Sequence, residues 1–173
     1  MLKGQDMLIA GIDPGKSGAL AIVKDGKLLD YALLAHVVPR YWLLERKCKI
    51  VYIEQAQSFP KQGIASAFNY GRDFGYMLGT LAGSGMIIHL VRPAVWARRI
   101  HQGSPKIDDA KERSLWCARH LWPEKSFLAT ERSSKPHDGL IDAALIAQYG
   151  YLNELNPAAS QCPALDPDVP NLD

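Results

Sequence analysis

Cysteine is scarce in this 173-residue chain: Cys48, Cys117 and Cys162 are odd in number, and no two form a C-x-x-C pair. That argues against a disulfide framework and a thiolate zinc site and fits reduced thiols. No stretch approaches the roughly 18 consecutive apolar residues of a membrane span, and the N-terminal MLKGQD lacks the apolar centre of a secretory signal. A cytoplasmic protein without membrane contact is expected. Internal repeats, heptads and low-complexity tracts are also missing, which excludes solenoid, coiled-coil and collagen-like architectures. What is there is ordinary: 47% hydrophobic residues, 22% charged and a mean hydropathy near zero, suited to one sizeable core.

Positive charge is missing from one region. Residues 153–173 carry Glu154, Asp166, Asp168 and Asp173, four prolines, and neither Lys nor Arg. They are expected to form a largely disordered appendage to a single domain spanning 1–152. The formal charge of +2 therefore hides a more basic body, whose 20 basic and 14 acidic residues leave it at +6. Within 92–135, ten Lys or Arg face five acids. Such an excess suits a polyanionic partner and equally suits a solvated helical surface.

The stretch AGIDPGKSGALAIV, 10–23, admits three readings. Gly15, Lys16 and Ser17 approach the spacing of a phosphate-binding loop. Against this, Pro14 has no N–H to offer an anion and Asp13 is itself negative. The loop also runs into a short apolar segment, 18–23, ended by the turn tetrapeptide 24–27, so the context is strand, turn, strand and not strand, loop, helix. The D-x-G-x-x-x-G hairpin of two-domain ATPases fits locally, but 173 residues favour one domain, and no nucleotide cofactor is expected. The third reading places Asp13 at the end of a central first strand, its carboxylate available to a divalent cation.

More acids follow. The β-branched run KIVYIE, 49–54, reads as a strand buried on both faces and ending in Glu54. A carboxylate there is costly to desolvate unless a cation neutralises it or it faces a solvent cleft. A helix beginning near Asp138 carries Asp138 and Asp142 four residues apart on one face. Asp138 has two possible roles, N-cap or ligand. Asp142 sits among Ile141, Leu145 and Ile146 and has no capping role. Oxygen-only donors of this kind suit magnesium, with manganese as a substitute. Two such ions roughly 4 Å apart would serve phosphodiester hydrolysis.

At this point the segments GIDPGKSGALAIV, VYIEQAQSFPKQG, GRDFGYMLG, LVRPAVWARRI and HDGLIDAALIAQYG resemble, in order over about 8–150, the RuvC-type Holliday junction resolvases, in particular their phage and prophage branch and the chloroplast resolvase. The resemblance implies an α/β RNase H-like fold, a central mixed five-stranded sheet with helices on both faces. It implies a homodimer, in a bacterial cell or encoded by a phage, that makes paired symmetric nicks in four-way DNA junctions with two Mg²⁺ per active site. It assigns Asp13, Glu54 and Asp142 as metal-binding acids. In the resembled branch the last motif commonly runs Asp-His before the Gly, whereas here His137 precedes Asp138. In other resolvases the fourth acid lies three residues before the last, which is Gly139 here. Asp138 is taken as the fourth ligand and His137 as a helper that orients water or contacts phosphate.

The resemblance also places the loop 55–63 at the junction centre, where Phe59 stacks on unpaired bases or, alternatively, packs beneath the loop, with Lys61 beside it. Lys106, Lys111, Arg113 and Arg119 lie on or near an expected helix over 107–122 and are candidate phosphate contacts, Lys111 foremost. Trp96, Trp116 and Trp122 read as packing anchors. In the helix after Glu54, Gly63, Ala67, Gly71, Gly75, Gly79 and Gly83 form a row of small residues. Interior glycines weaken a helix by about 1 kcal/mol each relative to alanine, so a close approach is expected, chiefly against the sheet or a neighbouring helix, otherwise against a twin across a two-fold axis. Competing functions are a nuclease of the same superfamily acting on other branched DNA or structured RNA, and a junction-binding protein without catalysis.

Overall fold

Strands β1 (Leu8–Asp13), β2 (Ala19–Lys24) and β3 (Lys27–Leu33) form an antiparallel meander. The β2–β3 reversal is a two-residue turn with Asp25 at φ 51° and Gly26 at φ 75°, the left-handed pair that matches strand twist in tight hairpins. β1 then pairs in parallel with β4 (Ile50–Glu54), and β4 in parallel with β5 (Ile87–Val91), giving the order β3-β2-β1-β4-β5. This computed structural model describes residues 7–15, 17–55 and 63–156. Helices α1 (Pro39–Glu45) and α2 (Ile64–Ala82) cover one face of the sheet. Helices α3 (Pro93–Ile100), α4 (Ala110–Leu121) and α5 (Asp138–Leu155) cover the other. The mixed five-stranded sheet with helices on both faces is thus as expected.

Central β1 is apolar on both sides because it meets two cores. Ile9 packs toward α5, while Ala10 and Ile12 pack toward α1 and α2. α5 is buried along most of its length, from Gly139 to Gly150 with only Asp142 partly exposed. Its seating on β1 is unusually close. A Cβ at Gly11 would stand 2.2 Å from both the Ala143 carbonyl oxygen and the Ala147 nitrogen, so only glycine fits there.

Four expectations need correction. The helix expected over 107–122 starts at Ala110, because the Asp109 carboxylate accepts the Glu112 N–H at 2.8 Å and caps it. α5 runs to Leu155, past the expected domain end at 152, and Glu154 accepts the Tyr52 hydroxyl at 2.8 Å instead of belonging to a free tail. The rest of that expected appendage, 157–173, lies outside the described residues, as do Lys16, Phe59 and Lys61. Nor does the glycine row pack against any of the described residues. Met77 and Leu81, on another side of α2, bury against the sheet, whereas Gly63, Gly71, Gly75 and Gly79 have no atom within 4 Å of an added Cβ. The capping role considered for Asp138 falls to His137, which is the N-cap of α5, without a side-chain cap bond. Among the described residues, no helix is long and apolar enough to cross a membrane.

Gly11→Ala is expected to lower the melting temperature by several degrees or to prevent folding, since overpacking against backbone costs about 1–3 kcal/mol or more. A thermal scan matching wild type would overturn the close β1–α5 contact.

Candidate active site

The parallel pairing of β1 and β4 carries Asp13 and Glu54 to the same end of the sheet, each as the last residue of its strand. The N-terminus of α5 meets them there. Its approach depends on Gly139, where a Cβ would lie 2.3 Å from the Ser17 carbonyl oxygen and 3.2 Å from Asp13 Oδ2. An acid at 139 is therefore sterically excluded, and on this helix the fourth carboxylate is that of Asp138. The turn before α5 is held by the His137 N–H donating to the Phe127 carbonyl at 2.8 Å and by a bridge between Leu128 and Pro136.

Electrostatics join the four acids. Asp13 is raised to about 7, first by burial and then by the charge of Glu54. Asp142 is likewise raised to about 7, by burial and by Asp13, Glu54 and Asp138, against a lowering by Lys111. Burial also raises Glu54, opposed by a hydrogen bond from the Trp96 indole N–H to Oε2 at 2.7 Å. Trp96, 4% exposed, is thus the packing anchor its sequence context suggests and also the group that orients Glu54. Lys111 Nζ stands 2.5 Å from Asp138 Oδ2 in a solvent-exposed pair at the edge of the acid group.

Three other candidate cations stand elsewhere, Arg119 exposed in the last turn of α4 among them. Lys106 is exposed in the α3–α4 connection. Arg113, two residues from Lys111, turns toward His101, which burial and then its charge lower, and toward Cys117, which burial raises against its charge; its Nε is buried without a hydrogen-bond partner among the described residues. Tyr70 of α2 joins the site unannounced by any motif. Burial and the charges of Asp13 and Glu54 raise its phenol. A tyrosine sixteen residues beyond a strand-end acid carries no sequence signal; the crossing of α2 over the sheet brings it there.

No three acids or imidazoles among the described residues close on one point tightly enough to hold an ion as they stand. The donor chemistry nevertheless fits a hard divalent cation. The donors are oxygens only, partly desolvated and mutually repelling, and beside them His137 Nδ1 is buried without a hydrogen-bond partner among the described residues.

With the geometry in view, comparison with solved structures places the fold. The chain is similar to T. thermophilus RuvC in complex with Holliday junction substrate, with a TM-score of 0.61 and 22% identity over 87% of this chain and 96% of that one. It is similar to a second Thermus thermophilus RuvC structure, with a TM-score of 0.60 and 21% identity over 86% and 96%. No protein-family model matches the chain. No curated protein matches it in sequence. The fold is the RNase H-like α/β fold. Within that class it takes the form seen in RuvC.

Because Asp13 and Asp142 titrate higher folded than unfolded, the native state holds their protons more tightly, and metal-free stability falls as pH rises from about 4 to about 7. Asp142→Asn in EDTA is therefore expected to melt several degrees above wild type at about pH 8 and close to it at about pH 4. Equal melting temperatures across that range would contradict the repulsion.

Proposed function

We propose that this protein is a structure-specific endonuclease, a Holliday junction resolvase that hydrolyses phosphodiesters at paired sites in four-way DNA. The observation that carries the reading is the gathering of Asp13, Glu54, Asp138 and Asp142, from two strand ends and one helix, in a fold shared with a RuvC solved with a Holliday junction. Asp13, Glu54, Asp142 and Asp138 would hold two Mg²⁺, their carboxylates turning inward from the positions described. When bound, that pair supplies charge neutralisation and an activated water for phosphodiester hydrolysis.

The chain's own groups do the rest. Trp96 keeps one oxygen of Glu54 occupied and leaves the other to face the group. Lys111, paired with Asp138 at the exposed edge of the site, would stabilise negative charge on a phosphate bound there. His137, at the helix entry, would orient water, contact phosphate or hand a proton to the leaving oxygen. Lys106 and, outside the described residues, Phe59 and Lys61 are assigned to backbone and base contacts. Arg113, half-buried on α4, and the exposed Arg119 are assigned to phosphate contacts as well. Restricted placement of the acids at a sheet end also suits other branched DNA or structured RNA, so the substrate panel decides between them.

The same reading calls for two sites, since a four-way junction is cut on two opposed strands. The outer face of α2 suits the assembly. Gly71, Gly75 and Gly79 leave open space on a surface where Ile64 is 90% and Phe68 70% exposed. Two such helices can approach backbone to backbone, which the apolar flank rewards.

End-labelled four-way junction and matched duplex, with magnesium and then EDTA, should show opposed nicks in the junction alone, lost with EDTA and reduced at least about 10³-fold by Asp13→Asn. Binding without cleavage in magnesium and manganese would leave a junction-binding protein instead. Sedimentation should give a dimer for wild type and a monomer for Gly75→Glu, whose helix keeps its stability because glycine is replaced by a better helix former. A monomeric wild type would overturn the assembly.

A further inference from the structure

A cavity of about 280 Å³ opens between the end of α3, the second half of α4 and the second half of α5. It stands apart from the acid group: Gln148 and Leu152, its lining from α5, lie about 9 and 15 Å further along that helix than Asp142. Ile100, Trp116, Leu121 and Leu152 give it apolar walls. His120 stacks on Trp116 with ring centroids 5.0 Å apart. Arg99 lines the cavity without an ion pair among the described residues, and no acid lines it.

Gln148 is only 6% exposed within an apolar stretch of α5, and its Oε1 is buried without a hydrogen-bond partner among the described residues. An amide oxygen in that state is costly, and an N–H or O–H donor relieves it. A DNA backbone cannot do so, since its phosphate and sugar oxygens only accept. A peptide brings an N–H at every residue except proline. The chain itself carries a peptide of matching chemistry next to the cavity. Helix α5 ends at Leu155, less than one turn beyond Leu152, and residues 157–173, outside the described residues, read PAASQCPALDPDVPNLD. They combine Asp166, Asp168 and Asp173 with Leu165, Val169 and Leu172 and contain no Lys or Arg. Carboxylates suit Arg99, and the apolar side chains suit the walls. At about 3.3 Å per extended residue, the stretch from Asn156 to Leu165 spans any path to the cavity.

We propose that this cavity is the seat of the chain's own acidic segment 157–173, with an apolar side chain filling it, a backbone N–H meeting Gln148 Oε1 and an aspartate meeting Arg99. A consequence follows that rests on the nuclease reading above. Aspartates docked here lie beside Arg119, the neighbour of His120 in the exposed last turn of α4, and compete there with DNA phosphates. The protein thereby restrains its own hold on DNA until a junction displaces the segment.

The test uses the full-length protein, in which Cys162 is a ready probe within the segment. Gln102→Cys puts a thiol at the cavity rim, whereas Tyr41→Cys puts one at an exposed position of α1, on the opposite face of the sheet. Mild oxidation of dilute protein should join the rim thiol to Cys162 within one chain, read by mass after digestion, about ten-fold more than the thiol on α1. Leu121→Asp, which sets a negative charge in the cavity wall, should remove that excess. Asp166→Asn combined with Asp168→Asn, outside the described fold, should lower it as well. Equal yields at the two positions, or disulfides only between two copies, would overturn the proposal and leave the nuclease reading intact. Junction binding in EDTA then reads the restraint. At low salt Leu121→Asp should bind about three-fold tighter than wild type despite its added negative charge, and the gain should vanish at high salt. Weaker binding, the result of that charge facing phosphate, would mean that DNA itself occupies this face and would overturn the restraint. Rim cross-linking in a protein that binds no junction would support the docking and defeat the nuclease reading.

Discussion

The close seating of α5 on β1 is the contact on which the rest depends. It requires a residue without a side chain at Gly11, because the backbone of the helix at Ala143 and Ala147 occupies the space a Cβ would need. Once α5 lies there, Asp142 and Asp138 are delivered to the strand end that carries Asp13. The second glycine contact, Gly139 against the Ser17 carbonyl, then draws the turn after Asp13 onto the helix start. Two missing side chains thus set the spacing between acids that come from opposite ends of the chain.

The same arrangement works against stability. Burial raises Asp13 and Asp142 and like charges raise them further, Glu54 at the first and Asp13, Glu54 and Asp138 at the second, so folding gains nothing from gathering them. Around them the fold supplies compensation piecemeal: an indole N–H for Glu54, an ammonium for Asp138, and a long apolar helix that packs irrespective of the charges at its start. A site assembled at the expense of its own repulsion is ready for positive charge.

α2 has three separate duties on three sides. Met77 and Leu81 fasten it to the sheet, Tyr70 and Asp73 line a cleft by the acids, and the glycine row with Ile64 and Phe68 faces outward.

Much of this was legible along the chain. β-branched runs ending in Asp13 and Glu54, the Lys24–Lys27 turn and the apolar late helix are local patterns, and local sterics and burial decide strands, turns and helices. Acids at element ends announce themselves for the same reason, since they interrupt apolar runs that would otherwise continue. Where sequence reasoning went astray, the deciding contacts were distant. The glycine row implies close packing but not with what, because its period of four is common to every side of a helix. Lys111 and Arg113 look alike in sequence, yet the helix turns one toward Asp138 and the other toward His101. Trp96 to Glu54 spans 42 residues, and Tyr70 reaches the acids only because α2 crosses above β1 and β4. The sequence by itself determined which elements form and which carboxylates end them; the tertiary structure alone decided which side chains meet those carboxylates, since such contacts depend on packing between elements and not on periodicity within one.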